Sequence, residues 1–389
     1  MPPDFLPGLD LSRALYSEAV APLLRAEHPD LPYAAALVGP GSEVLGLDTE
    51  RSTDHGWGPR LQLFVSDPGA RSRVLELLEE RLPERVRGWP VRFAPGDGPP
   101  QTWLPDADHP GGRHRVEVVD PGAWFGAHLG FDPRSGVSVR DWLATPTQRL
   151  AEAVGGAVFH DSAGDLTRSR QALDWYPDDV WRYVLACQWQ RIAQEEAFVG
   201  RCAEVGDGLG ARVVAARLVR DLMRLTLLLA RNYPPYPKWL GSAFSRLPGT
   251  DGLTPLLAGA LDADPAALAD ACALVGERQN RTGLAERLDT RPRPFHDRPW
   301  PVLDAAPSTT APGPCSTPPL PRPPLARARR RPFHDRPWPV LDAARFATAL
   351  SARVADPELA GRPPVGAVDQ FTDNTDALTS PGVFRSLGP

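Results

Sequence analysis

The sequence has almost no lysine. Of its 43 basic residues all but Lys238 are arginine, whereas acidic residues number 48 and the formal net charge is -5. Arginine that accompanies abundant alanine, proline and glycine is typical of a GC-rich coding sequence, so its abundance alone does not indicate a phosphate-binding surface. Because the chain has no positive surplus with which to neutralise a nucleic-acid backbone, we expect no nucleic-acid partner.

Cysteine is scarce and long apolar runs are missing. The cysteines are Cys187, Cys202, Cys272 and Cys315. They show no Cys-x-x-Cys spacing and no nearby histidine that would suggest a zinc site, so we expect incidental thiols in a reducing compartment. The N-terminal segment has no cationic start followed by an apolar core, and no run of about 18 apolar residues occurs. These features predict a cytoplasmic protein that is neither exported nor membrane-spanning.

The first 140 residues mix helical and strand-like patterns. A chain of 389 residues is long enough for two domains, because single cores usually stop growing near about 250 residues. Residues 10–27 and 71–82 carry apolar side chains at helical spacing. The strand-like segments are 34–38, 60–65, 90–94 and 114–119.

From residue 141 onward the apolar spacing is helical. Residues 212–231 form a strongly apolar helical pattern, and residues 253–278 contain shorter alanine- and leucine-rich segments. We therefore predict an α+β fold. A domain with a mixed sheet would occupy residues 1–140, and an α-helical bundle domain would occupy residues 141–290.

A perfect internal repeat follows the helical segment. Residues 293–306 read RPFHDRPWPVLDAA, and residues 331–344 repeat this sequence letter for letter, with a proline-rich link between them. Solenoid repeats need about three copies and tolerate divergence, so one perfect copy indicates a recent duplication or a sequence error. The alternative is a proline-rich recognition loop. We expect one copy to pack and the other to be loosely attached within residues 291–344, followed by a C-terminal helix and tail over residues 345–389.

Residues suited to nucleotidyl transfer occur in a regular order along the first domain. Gly41 and Ser42 follow the apolar run 34–38, where free backbone N–H groups could face phosphates. Asp54 lies just before the strand-like segment 60–65, and Glu117 lies within a later alternating segment. Carboxylate oxygens are ligands that Mg²⁺ prefers in proteins, and both residues could supply them. Each feature is common by itself, but their order within one mixed domain favours nucleotidyl transfer.

The segment that carries these residues resembles a known signature. VGPGSEVLGLDTERSTDHGWGPRLQLFV is similar to the nucleotidyltransferase pattern of Gly-Ser followed, after about ten residues, by Asp-x-Asp. More closely, the chain resembles an uncharacterised bacterial family, domain of unknown function 4037 (DUF4037). That likeness includes the segment NYPPYPKWL at residues 232–240 and the tail VDQFTDNTDAL at residues 368–378.

The resemblance implies a nucleotidyltransferase-like fold for residues 1–140. It also implies transfer of a nucleoside monophosphate from an NTP, with ATP as the expected donor, to a hydroxyl of a small molecule or protein. Gly41 and Ser42 would hold phosphates. Asp54 and Glu117 would be catalytic and would hold Mg²⁺. The departure is Gly56, which stands where the family pattern has its second carboxylate.

Loss of that carboxylate should weaken Mg²⁺ binding, because the ion needs its octahedral shell held against the phosphates. His55 is a poor substitute, since imidazole suits softer metals. Two functions remain open. The first is a nucleotidyltransferase whose activity is impaired, and the second is a non-catalytic nucleotide-binding or regulatory protein.

Lys238 is a further candidate for nucleotide binding. A compact ammonium can contact a phosphate where a planar guanidinium would not fit, and this chain keeps lysine at one position. The alternative is a surface lysine after a proline-rich turn. We expect Lys238 to face the same cleft as Ser42, Asp54 and Glu117.

Overall fold

A computed structural model describes residues 3–54, 56–95, 103–105, 112–294, 339–372, 375 and 378. The strands are β1 (Ala34–Leu37), β2 (Arg60–Phe64), β3 (Arg85–Val86), β4 (Trp89–Pro90), β5 (Arg92–Pro95), β6 (Trp103–Pro105), β7 (Arg113–Val119), β8 (Ala157–Asp161), β9 (Arg293–Pro294) and β10 (Pro339–Val340).

The α-helices are α1 (Gly8–Ala14), α2 (Ala21–Glu27), α3 (Pro68–Arg81), α4 (Pro121–Leu129), α5 (Val139–Ala144), α6 (Thr147–Val154), α7 (Asp165–Ala172), α8 (Asp178–Glu195), α9 (Phe198–Glu204), α10 (Gly208–Leu229), α11 (Pro237–Ser245), α12 (Thr254–Leu261), α13 (Pro265–Thr282), α14 (Ala344–Ser351) and α15 (Val368–Phe371). A π-helical segment, Leu15–Val20, joins α1 to α2, and 3-10 turns span Glu50–Asp54 and Pro133–Ser135. No described helix is both long and apolar enough to cross a membrane.

The main sheet has the strand order β6-β5-β7-β2-β1-β8. β1 runs antiparallel to β2 and β8, β2 runs parallel to β7, and β5 runs antiparallel to both β6 and β7. The predicted α+β class with a mixed sheet is therefore confirmed. A parallel pair needs a long crossover connection, and here α3 lies between β2 and β7 in the chain.

The sheet is covered on both faces, because successive strand side chains point to opposite sides. Leu61 and Leu63 of β2 pack into an apolar cluster with the N-terminal helices and α3. Phe64 points to the other face and joins a larger cluster with helices from α4 to α14. Arg60 and Gln62 share the face of Phe64, so two buried polar side chains lie between the sheet and the helical part of the molecule.

The predicted boundary near residue 140 does not separate the sheet from the helices. β8 falls inside the range 141–290 that was predicted to be helical, and it pairs with β1. The segment reads AVFHD, which does not alternate between apolar and polar residues as a strand with one buried face does, and all five side chains are half-buried. One apolar cluster also extends from Phe64 to Leu350.

The longest helices form the centre of the helical part. α8 packs against α10 and α14, and the rings of Trp189 and Phe346 stack with centroids 4.6 Å apart. The exposed Arg217 pairs with Glu195. Arg224 lies on α10, as Arg217 does, but its side chain is buried and lies 2.8 Å from the Asp369 carboxylate.

The two copies of the repeat each contribute one short strand to the same antiparallel pair. Arg293–Pro294, from the first copy, pairs with Pro339–Val340, from the second. Leu341 then enters the main apolar cluster and is fully buried. Most of both copies and the proline-rich link lie outside the described residues.

Candidate functional site

The loop after β1 carries the predicted Gly-Ser pair, and its first residues are held by neighbouring elements. The backbone N–H of Val38 donates to Oε1 of Gln62 in β2, at 3.0 Å. The N–H of Gly39 donates to the carbonyl oxygen of Glu152 in α6, at 2.9 Å. The loop is therefore bonded to the sheet on one side and to the helical part on the other.

A buried ion pair fixes the middle of this loop. Nε of Arg60 lies 2.6 Å from Oε1 of Glu43, and both side chains are buried. Arg60 also donates from Nη2 to the carbonyl oxygen of Pro40. At Gly41 a Cβ atom would overlap the Arg60 guanidinium and lie 2.7 Å from the Glu43 carboxylate, so the close approach requires glycine. This pair was not predicted from the sequence; its signal was an arginine at the start of a strand that is buried along its whole length.

Four polar side chains share one face of the parallel pair β2 and β7. Arg60 is in register with Arg115, and Gln62 is in register with Glu117. The Glu117 side chain reaches solvent. Desolvation by surrounding protein atoms raises its pKa, whereas a hydrogen bond from Gln62 and the charges of Arg60 and Arg115 act in the opposite direction.

Arg115 connects this face to Gly56. Its Nη1 donates to the carbonyl oxygen of Gly56, at 2.6 Å, and its guanidinium lies over the ring of Phe93. Burial, together with the neighbouring charge of Arg60, lowers the pKa of Arg115 to about 10. Gly56 is therefore held next to a guanidinium on the face that carries Glu117.

The backbone at Gly56 is left-handed, with φ of +65°, and a Cβ atom there would have no heavy atom within 4 Å. A side chain at this position would meet open space but an unfavourable backbone conformation. Aspartate and asparagine tolerate this conformation better than most residues with side chains.

The other predicted carboxylate, Asp54, ends a 3-10 turn, and its side chain lies outside the described part of the structure. Two nearby aspartates are already bonded. Oδ2 of Asp48 accepts hydrogen bonds from the Gly8 N–H (2.7 Å) and from Nε1 of Trp57 (3.0 Å). Asp67 caps the start of α3.

The described side chains do not fit a Mg²⁺ site. Among them no group of three or more His, Cys, Asp or Glu residues could hold a metal ion. The charges that act on Glu117 are the guanidiniums of Arg60 and Arg115, which disfavour a divalent cation beside it. The metal role of Asp54 and Glu117 stays a prediction.

Lys238 lies in the first turn of α11, with its ammonium exposed and 4.7 Å from the ring centroid of Trp239. The adjacent backbone is tied to α6. The N–H of Tyr236 donates to Oε1 of Gln148 (3.0 Å), and Nε2 of Gln148 donates to Oε1 of Glu152 (2.7 Å). This chain of bonds ends at the residue whose carbonyl holds the Gly-Ser loop, but direct access of Lys238 to that loop stays a prediction.

A buried polar cluster supports α6 behind the loop. The Glu152 carboxylate lies 2.9 Å from Nη1 of Arg149 and 3.5 Å from Nε2 of His128. The His128 ring stacks on Trp124. Burial and the Arg149 charge lower the pKa of His128 to about 3, so the imidazole is neutral near pH 7. Sequence reasoning missed this cluster because its members are spread over α4 and α6.

A cavity of about 400 Å³ separates the later part of the loop from the helical part. Its walls are mostly apolar and include Leu45, Val154 and Leu247. Arg231 and Arg246 also line it. Arg246 donates to the carbonyl oxygen of Gly46, which ties α11 to the loop.

Comparison with solved structures finds a nucleotidyltransferase-like protein from Exiguobacterium sibiricum 255-15. It is 14% identical to this chain, the alignment covers 74% of this chain and 82% of that chain, and the TM-score is 0.28. No curated protein matches this chain.

A family model, described as Domain of unknown function (DUF4037), matches residues 142–240. The match includes the segment NYPPYPKWL that carried part of the resemblance. The Gly-Ser segment and the tail lie outside it. Over residues 142–240, from within α5 to within α11, the resemblance of this chain to the DUF4037 family is confirmed.

Proposed function

We propose that this chain is a nucleotide-binding protein built on a nucleotidyltransferase-like scaffold, in which transfer of the nucleoside monophosphate is impaired by Gly56. The observation that carries the proposal is the position of Arg115. Its guanidinium lies on the same face as Glu117, in register with Arg60, and donates to the Gly56 carbonyl.

The arrangement suits the phosphates of an NTP such as ATP. A guanidinium is a planar donor that binds phosphate oxygens in pairs, and Arg115 keeps further N–H groups beyond the one used on Gly56. Backbone N–H groups near Gly41 and Ser42 would add donors. Arg60 is already paired with Glu43, so it would shape the loop and leave the phosphate contact to Arg115.

The same geometry favours a non-catalytic binding protein over an efficient transferase. Where the family pattern has a second carboxylate, this chain presents a backbone carbonyl bonded to a cation. Charge neutralisation of the phosphates would then come from arginine and not from Mg²⁺. The acceptor would remain a small-molecule or protein hydroxyl in any variant that regains transfer.

The first prediction tests this proposal with calorimetric titration of ATP, with and without Mg²⁺. The natural chain should bind ATP weakly and with similar affinity in both conditions. Gly56→Asp should gain Mg²⁺-dependent affinity, because it adds a carboxylate near Glu117 and Asp54. Gly56→Asn is the matched control: it has the same shape and the same tolerance of the left-handed backbone, but no charge.

Two further variants define the outcome. Asp54→Ala in the Gly56→Asp background should abolish the gain, and Arg115→Gln in the natural chain should weaken ATP binding about tenfold, the loss of roughly one charged hydrogen bond. Equal Mg²⁺ dependence in all variants would refute the role of position 56. Absence of saturable ATP binding in every variant would refute nucleotide binding itself.

A further inference from the structure

A second, strongly cationic cavity, open to solvent, lies in the helical part; it shares Arg231 with the cavity beside the loop but no residue with the face that carries Arg115 and Glu117. It has a volume of about 570 Å³ and lies where the C-terminal ends of α10 and α13 meet the start of α8. Its lining combines uncharged residues at the helix ends with four arginines, one aspartate and one tryptophan: Arg182, Arg231, Arg278, Arg281, Asp178 and Trp181. In a chain with a net charge of -5 this concentration of positive charge needs an explanation.

Arg231 is held at this cavity by a strained backbone. It follows α10 with φ of +55°, a left-handed conformation that glycine usually supplies after a helix. Its guanidinium lies 4.7 Å from the ring centroid of Trp181. The ring is fixed in turn, because Nε1 of Trp181 donates to the carbonyl oxygen of Leu228 at 3.0 Å.

Arg278 and Arg281 lie one turn apart on α13 and repel each other. Burial and the neighbouring charge of Arg281 both lower the pKa of Arg278. In the described parts of the chain, no carboxylate lies within ion-pair distance of Arg231, Arg278 or Arg281, although Nη2 of Arg278 donates to the carbonyl oxygen of Gly249. Asp178, which also lines the cavity, is 3.7 Å from Arg182.

Helix ends account for part of this pattern. The C-terminal end of a helix favours cations, which suits Arg281 in the last turn of α13 and Arg231 just beyond α10. That effect does not require the guanidiniums to converge on one cavity, nor does it explain the half-buried Arg278 beside a like charge. A bound anion would relieve the repulsion.

We propose that this cavity binds a small molecule carrying two or more phosphoryl groups. Its volume lies within the usual range of ligand pockets, about 300–1,000 Å³. Each planar guanidinium can bind two phosphate oxygens. Three guanidiniums without described carboxylate partners therefore suit a ligand with several phosphoryl groups better than they suit a single phosphate. The site shares Arg231 with the cavity beside the loop but no residue with the Arg115 face proposed to bind the nucleotide, so either proposal can fail without the other.

The second prediction concerns binding of inorganic tripolyphosphate, measured by calorimetry on the full chain, with inorganic phosphate for comparison. Tripolyphosphate should bind saturably and inorganic phosphate much more weakly. The double variant Arg278→Gln and Arg281→Gln should weaken tripolyphosphate binding by more than about tenfold, because it removes at least one charged hydrogen bond to the ligand. Arg231→Gly should also weaken binding while preserving the fold, because glycine suits the left-handed backbone.

The matched control also replaces two arginines by glutamine, but at positions outside the cavity. Arg212→Gln with Arg217→Gln changes two exposed arginines of α10 and should leave tripolyphosphate affinity within about twofold, since exposed charges more distant than a Debye length are screened. Arg115→Gln removes any contribution from the candidate nucleotide site. Equal weakening in the cavity variant and its control would overturn the proposal, as would binding that only Arg115→Gln abolishes.

Discussion

At the scale of single residues, the ion pair between Glu43 and Arg60 organises the candidate site. Both side chains are buried between the sheet and the helical part, and Arg60 also bonds the loop at Pro40. A buried charge is tolerated only when it is paired and hydrogen-bonded. The pair therefore sets the conformation in which Gly41 and Ser42 are presented.

The third prediction concerns this pair. Glu43→Gln should lower the free energy of unfolding by at least about 3 kcal/mol, because it leaves the buried Arg60 guanidinium without its ion-pair partner. Glu27→Gln is the control, since it breaks an exposed pair with Arg81 of similar length and should change stability by less than about 1 kcal/mol. Urea unfolding measures both. Similar small losses in the two variants would show that Arg60 finds another partner or solvent.

The residues of this site could be predicted from the sequence only in part. The Gly-Ser pair could be recognised because it follows an apolar run, and Glu117 because strand alternation exposes it. Arg60 and Glu43 could not, since a charge next to an apolar strand is usually solvated and their pairing depends on how the loop folds back. Arg224 illustrates the same limit: its partner, Asp369, is distant in sequence, so the helical pattern of α10 does not indicate that this arginine is buried in an ion pair.

At the scale of elements, Glu196 joins the end of α8 to the segment before α14. Oε1 of Glu196 accepts a hydrogen bond from the Ala343 N–H, at 2.8 Å. Its Oε2 is buried and has no partner among the described residues. Burial, with a smaller contribution from the charge of Asp342, raises the pKa of Glu196 to about 7. Burial, and to a smaller extent the Glu196 charge, raises the pKa of the Cys272 thiol.

The fourth prediction follows from that pKa. A carboxyl whose pKa rises from 4.5 to about 7 on folding takes up a proton, so its contribution to stability falls as the pH increases between those values. Glu196→Gln removes the titration. Between about pH 4.5 and 7 the natural chain should lose up to about 3 kcal/mol more stability than the variant. Urea unfolding across this range measures the difference, and parallel stability curves would contradict the assignment.

Elements differ in how well their sequence predicts them. The helical patterns at residues 71–82 and 212–231 correspond to α3 and α10, whose amphipathic spacing is local information. β8 was missed because its strand character comes from pairing with β1, more than 100 residues earlier. Contacts at that separation leave no periodic trace in the strand itself.

At the scale of the whole molecule, α6 contacts both the loop after β1 and the C-terminal segment around Asp369. At its start, the Thr147 N–H donates to Oδ2 of Asp369 in the tail, at 2.9 Å. Towards its end, the Glu152 carbonyl accepts from Gly39 in the N-terminal loop. Since α6 lies within the part that matches DUF4037, the matched helices form the surface on which both the loop and the tail are fixed.

The repeat also affects the organisation of the whole molecule, because the paired strands β9 and β10 come from different copies. The Arg-Pro that opens the first copy pairs with the Pro-Val inside the second, and the same Arg-Pro occurs again at Arg331. A single copy therefore contains everything that the strand pair uses. The arrangement is what a duplication inserted into an existing hairpin would produce.

The fifth prediction is that deletion of residues 293–330, which joins Pro292 to Arg331, preserves the fold. The Arg-Pro at 331–332 would take the place of β9, and a six-residue turn would replace the long connection between the strands. Shortening that connection should favour the hairpin by roughly 2 kcal/mol, because loop closure costs less entropy. The melting temperature should fall by no more than about 3 °C. Deletion of residues 293–338 is the control: it also removes the replacement strand, and β10, which precedes the buried Leu341, would lose its partner. A comparable large loss of stability in both deletions would show that the two copies have separate structural roles, and the duplication hypothesis would be wrong.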